Sequence, residues 1–267
     1  MDISIIILNY KSKGLTKQCL RGIELIKPKR EYEIIVVDNA SNDGTAEMVR
    51  NEFPGVKLIV SPRNCGFAAG NNLGIRQATG KYIMILNPDV ALLSDSIEVL
   101  YRFMEDHPEV GLAGPKLINP DGTVQASCRT FPTPKIIFYR RSPLGKFTGP
   151  KKVLREHLML EWDHRENRAV DWMIGACFIV RAETVEKIGL LDERFFLYLE
   201  DVDWCRRFWQ AGYKVYYVAD AEMVHYHQRL SAESPGLGGI LSYATRIHII
   251  SAIKYFAKWN GVKNKNI

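Results

Sequence analysis

The densest chemical signal in this 267-residue chain is YLEDVDWCRR, in which Glu200, Asp201 and Asp203 precede Arg206 and Arg207. Three acids within four residues repel one another unless a helix dipole, a metal ion or the arginines offset their charge. Capping of a helix N-terminus accounts for one or two of them. The excess points to a general base with neighbours that set its pKa. A second carboxylate, Asp38, ends the apolar run YEIIVVD and precedes the turn residues NASNDG. It suits a hydrogen bond from a pyrimidine imide N–H or a ribose hydroxyl, although Asp-Asn before a turn is also ordinary turn chemistry. A third, Asp89, follows an apolar run and Asn87-Pro88, where it could bind a divalent cation that also holds a diphosphate. A β-turn with Pro second and Asp third is the competing reading. Further on, His225 and His227 flank Tyr226, with Arg229 nearby, and could reach a metal or a phosphate rather than serve structurally.

These groups need elements to hold them. Ile/Val-rich runs at 3–10, 32–39, 56–62, 81–89 and 110–117 are nearly continuous, as strands covered on both faces should be. Helix-like segments lie between them at about 13–27, 44–53, 68–79 and 94–107, with Asp43 and Ser94 as N-cap candidates. Repeated strand–helix order predicts an α/β fold, a mainly parallel central sheet with helices on both faces. Ligands in such folds sit at the carboxyl ends of the strands, so Asn9-Tyr10, Asp38-Asn39 and Asn87-Pro88-Asp89 are the positions to inspect. Residues 119–168 are Pro-rich, basic and aperiodic, and a loop that long is usually functional. A strand over 170–181, a helix over 182–188 and a strand over 213–220 follow. Ile240, Tyr243, Ile247, Ile250, Ile253 and Phe256 then predict an amphipathic helix from Ile240 to Trp259.

Several classes are excluded. No GxGxxG follows the first strand and no GxxxxGK[ST] occurs, so neither dinucleotide fingerprint nor P-loop is present. The five cysteines (Cys19, Cys65, Cys128, Cys177, Cys205) form no CxxC pair and suit a reducing compartment. No run approaches the roughly 18 apolar residues that span a bilayer, so a cytoplasmic protein is expected. The net charge of +6 is uneven. Gly122 to Arg155 holds eight basic residues and no acid, and Ile240 to the end holds five and no acid, leaving an acidic remainder. That is unlike a nucleic-acid binder. It fits contact with phosphate groups or an anionic membrane face, with solvated basic surfaces as the plain alternative.

The order of the signals carries more than any one of them. A strand-end Asp, then NPD, G-x-x-F-x-V-R, ED-x-D-W-C-x-R and H-x-H resembles the family 2 nucleotide-sugar glycosyltransferases of the GT-A fold. The stretch VDWMIGACFIVR…FFLYLEDVDWCRRFWQAGYKVYYVADAEMVHYHQRLS is similar to bacterial rhamnosyltransferases that extend polyprenyl-diphosphate-linked sugars. The similarity spans roughly residues 1–230 and is least distinctive over 119–168. One departure concerns the metal: the family's DxD reads Asn87-Pro88-Asp89 here, and only the last acid is kept.

The resemblance implies an inverting hexosyltransferase of cell-surface polysaccharide synthesis. Its donor would be dTDP-L-rhamnose, or another UDP- or dTDP-sugar. Its acceptor would be a saccharide hydroxyl, lipid-linked, reached by peripheral contact at the inner face of the membrane. Asp201 would be the base, with Glu200 as rival. Asn9, Tyr10, Asp38, Asn39, Asn64, Asn71, Asn87, Asp89, Trp172 and Arg206 would contact the nucleotide sugar. Asp89 and His225 would hold Mg²⁺ or Mn²⁺. The implied organisation is a nucleotide-sugar-binding half (1–118), an acceptor-binding and catalytic half of the same domain (119–239) and a basic amphipathic helix and tail (240–267). Two competitors remain. A sugar nucleotidyltransferase would carry a Gly-rich phosphate loop after its first strand, which NYKSKGLTKQ matches poorly. A non-catalytic carbohydrate-binding protein would not need the acidic helix start.

Overall fold

The computed structural model describes residues 1–93, 95–226 and 243–262, apart from the side chain of Arg141. Ser94 and His227 therefore lie outside the described residues. The chain runs β1 (Ile3–Asn9), α1 (Lys13–Ile26), β2 (Tyr32–Asp38), α2 (Thr45–Glu52), β3 (Lys57–Val60), α3 (Gly66–Ile75), β4 (Tyr82–Leu86), β5 (Val90–Leu92) and α4 (Ser96–Asp106). It continues with β6 (Val110–Ile118), β7 (Cys128–Arg129), α5 (Pro134–Arg141), α6 (Thr148–His157), β8 (Arg168–Ala169) and β9 (Trp172–Met173). The remaining elements are β10 (Cys177–Arg181), α7 (Ala182–Ile188), α8 (Glu200–Gln210), β11 (Lys214–His225) and α9 (Tyr243–Trp259).

The main sheet is mixed and mostly parallel, in the order β3-β2-β1-β4-β10-β6-β11-β5, with β8 beside β11. Strands β3, β2, β1 and β4 are parallel, as are β6 and β11; β10 enters antiparallel between β4 and β6. Helices cover both faces. Ile5 and Ile7 pack with Leu20, Ile23, Leu100 and Met104 on one side, while Ile6 and Leu8 join Ile75, Val202, Trp204 and Tyr255 on the other. This two-sided burial is why the strands read as unbroken apolar runs.

Helix α3 can lie close against β1 because its facing residues are glycines. A Cβ on Gly70 would come 2.6 Å from Leu8 Cδ1, and one on Gly74 2.5 Å from Ile6 Cγ2. Their absence brings the helix start, and the loop before it, up to the carboxyl end of the sheet.

Three expectations are corrected. The run 170–181 is not one strand. It breaks at Ile174-Gly175-Ala176, where the Ala176 N–H donates to the Ile174 carbonyl at 2.8 Å, so β9 pairs with β7 in a small second sheet and β10 enters the main one. Residues 119–168 are not irregular throughout: α5 and α6 form a helical hairpin. Thr133 caps α5 by accepting from the Ile136 N–H, with Pro134 in the first turn, where its missing N–H costs nothing. Finally, Gly44 rather than Asp43 occupies the N-cap of α2; Asp43 accepts instead from the backbone N–H and hydroxyl of Thr45.

Candidate active site

The carboxyl ends of β1 and β2 meet in register, with Asn9 opposite Asp38. Both side chains are buried. The Asn9 amide donates to Asp38 Oδ1 (3.3 Å), Ser41 Oγ (2.8 Å) and Thr45 Oγ1 (3.0 Å), and its oxygen accepts from the hydroxyls of Ser12 and Thr16. An amide has no further bonds to offer. Asn9 is thus a hub that aims Asp38. Asp38 Oδ1 also accepts from the Ser41 N–H at 3.2 Å, while Oδ2 has no partner among the described residues. Asn39 is spent on the next loop: it donates to Asn64 Oδ1 and the Gly66 carbonyl and accepts from the Cys65 N–H. Asn71, buried on α3, donates to the Phe67 carbonyl, and its oxygen is enclosed without a partner. Tyr10 is exposed at the strand end, beneath the Lys11 ammonium.

Asn87-Pro88-Asp89-Val90 is a β-turn, closed by the Val90 N–H donating to the Asn87 carbonyl at 3.1 Å. The turn chemistry is real, yet it leaves Asp89 unusual. Asp89 Oδ1 is buried with no hydrogen-bond partner among the described residues, and Oδ2 lies 3.5 Å from Nε2 of the buried His225. Gln125 sets the imidazole. Its amide N–H groups donate to the His225 carbonyl and to Asn119 Oδ1, both at 2.8 Å, so its oxygen must accept from His225 Nδ1, 2.9 Å away. With Nδ1 held by Gln125, Nε2 is the ring nitrogen turned towards Asp89. A buried orphan carboxylate oxygen beside an imidazole nitrogen is a donor set that fits a divalent cation. Among the described residues no third protein ligand of the His, Cys, Asp or Glu type joins them.

The three acids at the start of α8 have separate environments. Asp203 is fully buried and accepts from Arg207, Lys258 and the Trp259 indole, so it anchors α9. Glu200 is buried, and its Oε2 has no partner. Asp201 is half-buried; its Oδ2 accepts from the Gly175 N–H (3.1 Å) and Oδ1 from the Val202 N–H (2.8 Å). Burial pushes the Glu200 carboxyl well above its usual range, and the adjacent Asp201 charge pushes it the same way. Burial also raises Asp201, but the two N–H groups and the Arg129 guanidinium favour its ionised form. Both carboxyls are therefore raised, Glu200 well above its usual range, while Asp201 has the larger set of neighbours that favour its charged form.

Short links bring these parts together. The Asn87 N–H donates to the Ala176 carbonyl (2.9 Å), one residue from the Gly175–Asp201 contact. The Phe67 N–H donates to the Phe196 carbonyl (2.7 Å), tying the start of α3 to the segment before α8. Arg206 and Trp172 are engaged by other parts of the protein. Arg206 turns to α9, donating to the Tyr255 hydroxyl and the Val262 carbonyl and stacking on Trp259. Trp172 is buried, donates to the Thr130 carbonyl and carries Arg129 over its ring. Nothing in the sequence spacing singles out Gln125 or Arg129. Gly175, an isolated glycine inside a strand-like run, was the available sign of a break.

The geometry can be set beside known proteins. Residues 4–164 match the sequence profile described as Glycosyl transferase family 2. The chain is 30% identical over 244 residues to the N-acetylglucosaminyl-diphospho-decaprenol L-rhamnosyltransferase of Mycobacterium tuberculosis, covering 87% of this chain and 78% of that one. It is 25% identical over 276 residues to rhamnosyltransferase WbbL of Escherichia coli K12, covering 99% and 96%. In fold it is similar to GalNAc-T7 solved with UDP, GalNAc and Mn²⁺ (TM-score 0.62, 16% identity, covering 90% and 46%). It is also similar to S. aureus TarS 1-349 in complex with UDP-GlcNAc (TM-score 0.56, 17%, covering 96% and 67%). With a GT-A-like mixed sheet, carboxylates gathered at its strand ends and the family profile spanning most of the chain, this protein belongs to glycosyl transferase family 2 and is a hexosyltransferase.

Proposed function

We propose that this enzyme transfers L-rhamnose from dTDP-L-rhamnose, with inversion, to a hydroxyl of a lipid-linked saccharide during polysaccharide synthesis. The observation that carries the reading is the Asp201–Glu200 pair: a half-buried carboxylate that accepts from the Gly175 and Val202 N–H groups, beside a buried carboxyl pushed well above its usual range. The sugar and the acceptor class follow from similarity to the decaprenol-linked rhamnosyltransferase. Asp201 takes the proton of the acceptor hydroxyl as that oxygen attacks the anomeric carbon. The bond from that carbon to the diphosphate breaks on the opposite face, and the nucleoside diphosphate leaves with the electron pair. Asp38, aimed by Asn9, accepts from the imide N–H of the base, a group that thymine and uracil share.

Asn39 and Asn64 shape the loop beside the nucleotide, and Tyr10, Asn71 and Asn87 border it. Asp89 and His225 would hold Mg²⁺ or Mn²⁺. Such an ion stabilises the charge that develops on the departing diphosphate. All five cysteines are free thiols, which suits work at the cytoplasmic face of the membrane. Among the described residues no helix is long and apolar enough to cross a bilayer.

Transfer assays with dTDP-rhamnose, UDP-GlcNAc and UDP-glucose, with and without chelator, on a short-chain N-acetylglucosaminyl-diphospho-lipid test this. The expected result is transfer from dTDP-rhamnose, with product of opposite anomeric configuration to the donor. Transfer from a UDP-sugar alone would keep the reaction and replace the donor.

A further inference from the structure

The C-terminal helix is apolar on two opposite sides, and only one of them is used by the protein. Thr245, Ser251, Ala252 and Tyr255 face inward and are buried. The Ser251 hydroxyl donates to the Leu197 carbonyl at 2.8 Å, and His248 stacks on Tyr198 with ring centroids 4.9 Å apart. The other side bears Tyr243, Ile249, Ile250 and Ile253, all exposed, Ile250 at 51% and Ile253 at 64%. At 100° per residue these fall in one stripe, and exposed Arg246 falls in it too, whereas the Lys254 ammonium beside it donates to the Arg194 carbonyl at 2.6 Å. The expected seam of Ile247, Ile250, Ile253 and Phe256 is therefore split, with Ile250 and Ile253 turned away from the core.

We propose that this outer stripe of α9 lies on an anionic lipid surface. The proposal rests on the lipid-linked acceptor of the preceding section. Three exposed isoleucines over little more than one turn, with Arg246 beside them, form the interfacial pattern of an aliphatic face next to a basic group. Charge selects the partner: residues 240–267 contain no acid, so the stripe repels a basic surface and is drawn to an acidic one. Position supplies the reason for the arrangement. The inner face of α9 rests on Leu197 and Tyr198, immediately before the segment Leu199–Asp201 that carries the base. One helix thickness, about 10 Å, therefore separates the stripe from that segment. A diphosphate-linked sugar could then reach Asp201 while its lipid stays in the bilayer.

The test compares wild type with the double variant Ile250→Ser/Ile253→Ser and with Arg246→Glu, all as full chains. Co-sedimentation uses phosphatidylcholine vesicles with and without phosphatidylglycerol, at low and high salt. Wild type should bind the anionic vesicles, less so at high salt, and both variants should bind about tenfold or more weakly. Transfer to a water-soluble short-chain acceptor should be unchanged in all three, which also shows that they fold. Undiminished binding by the double variant, or no binding by wild type, overturns the proposal. So does a wild-type dimer in sedimentation analysis that the same serines dissociate, which would assign the stripe to a second copy. Loss of soluble-acceptor transfer in wild type would instead refute the catalytic reading, whatever the vesicles show.

Discussion

Gln125 and His225, a hundred residues apart, are locked together: the Gln125 oxygen accepts from His225 Nδ1 at 2.9 Å, while its amide donates to the His225 carbonyl at 2.8 Å. The pair fixes both the rotation of the imidazole and which nitrogen faces Asp89. Partners of this kind typically change metal affinity by 10–100-fold when removed. Gln125→Leu should therefore weaken Mn²⁺ binding by about one to two orders of magnitude, read by electron paramagnetic resonance on the enzyme without donor. Gln125→Glu, which still accepts from Nδ1, should lose less. Equal affinities in all three proteins would remove Gln125 from the cation site.

The buried Glu200 carboxyl predicts a pH signature. Its pKa in the folded chain is raised above the ordinary 4.5 by burial and by Asp201, so the folded state holds that proton more tightly than the unfolded chain does. Stability from this group is present below the unfolded value and is lost as pH rises towards the raised one. Wild type should lose melting temperature as pH rises above the ordinary 4.5 towards the raised value, and Glu200→Gln should lose less over that rise. Parallel curves would show that Glu200 does not titrate there. Asp201 is raised as well, so turnover should fall on acidification as the base takes up a proton.

Asp203 ties α8 to α9 through Lys258 at 2.7 Å and the Trp259 indole at 2.9 Å. Asp203→Ala strands these donors and should destabilise the protein by about 3 kcal/mol, the lower end for a buried pair, because Lys258 also reaches Asp192. Amide exchange should accelerate first in α9. Unchanged protection there would mean that apolar packing alone holds the helix.

Gly66 has φ +87°, and a Cβ there would lie 2.3 Å from the Phe196 carbonyl oxygen, the atom that accepts from the Phe67 N–H. Gly66→Ala should cost about 1–3 kcal/mol and depress turnover by shifting the segment before α8. Gly122→Ala is the control: its φ is +83° but nothing lies within 4 Å, so only the backbone penalty applies. Equal losses in the two variants would show that the Phe196 contact is immaterial.

The sheet and its strand-end residues were legible because parallel strands buried on both faces leave continuous apolar runs that stop at polar residues. Asp38, Asp89 and Asp201 could be found that way, each at the edge of such a run or at a helix start. What Asn9 does could not, since its bonds go to Ser41 and Thr45 across a loop whose path the spacing does not fix. The α5–α6 hairpin escaped because Phe138 and Phe147 are exposed, which blurs the helical period. In α9 two apolar sides merged into one apparent seam. Arg206 sits one helical turn beyond the carboxylates in sequence, yet faces Tyr255 and Trp259 rather than them.

The central claim, that Asp201 and not Glu200 removes the acceptor proton, is tested most directly by single-turnover transfer with Asp201→Asn and Glu200→Gln. The account predicts that Asp201→Asn slows transfer by about two to four orders of magnitude while donor binding by calorimetry persists. It predicts that Glu200→Gln, which keeps the side chain's size and removes only a carboxyl held well above its usual range, stays within about tenfold of wild type. A dead Glu200→Gln beside an active Asp201→Asn would contradict it.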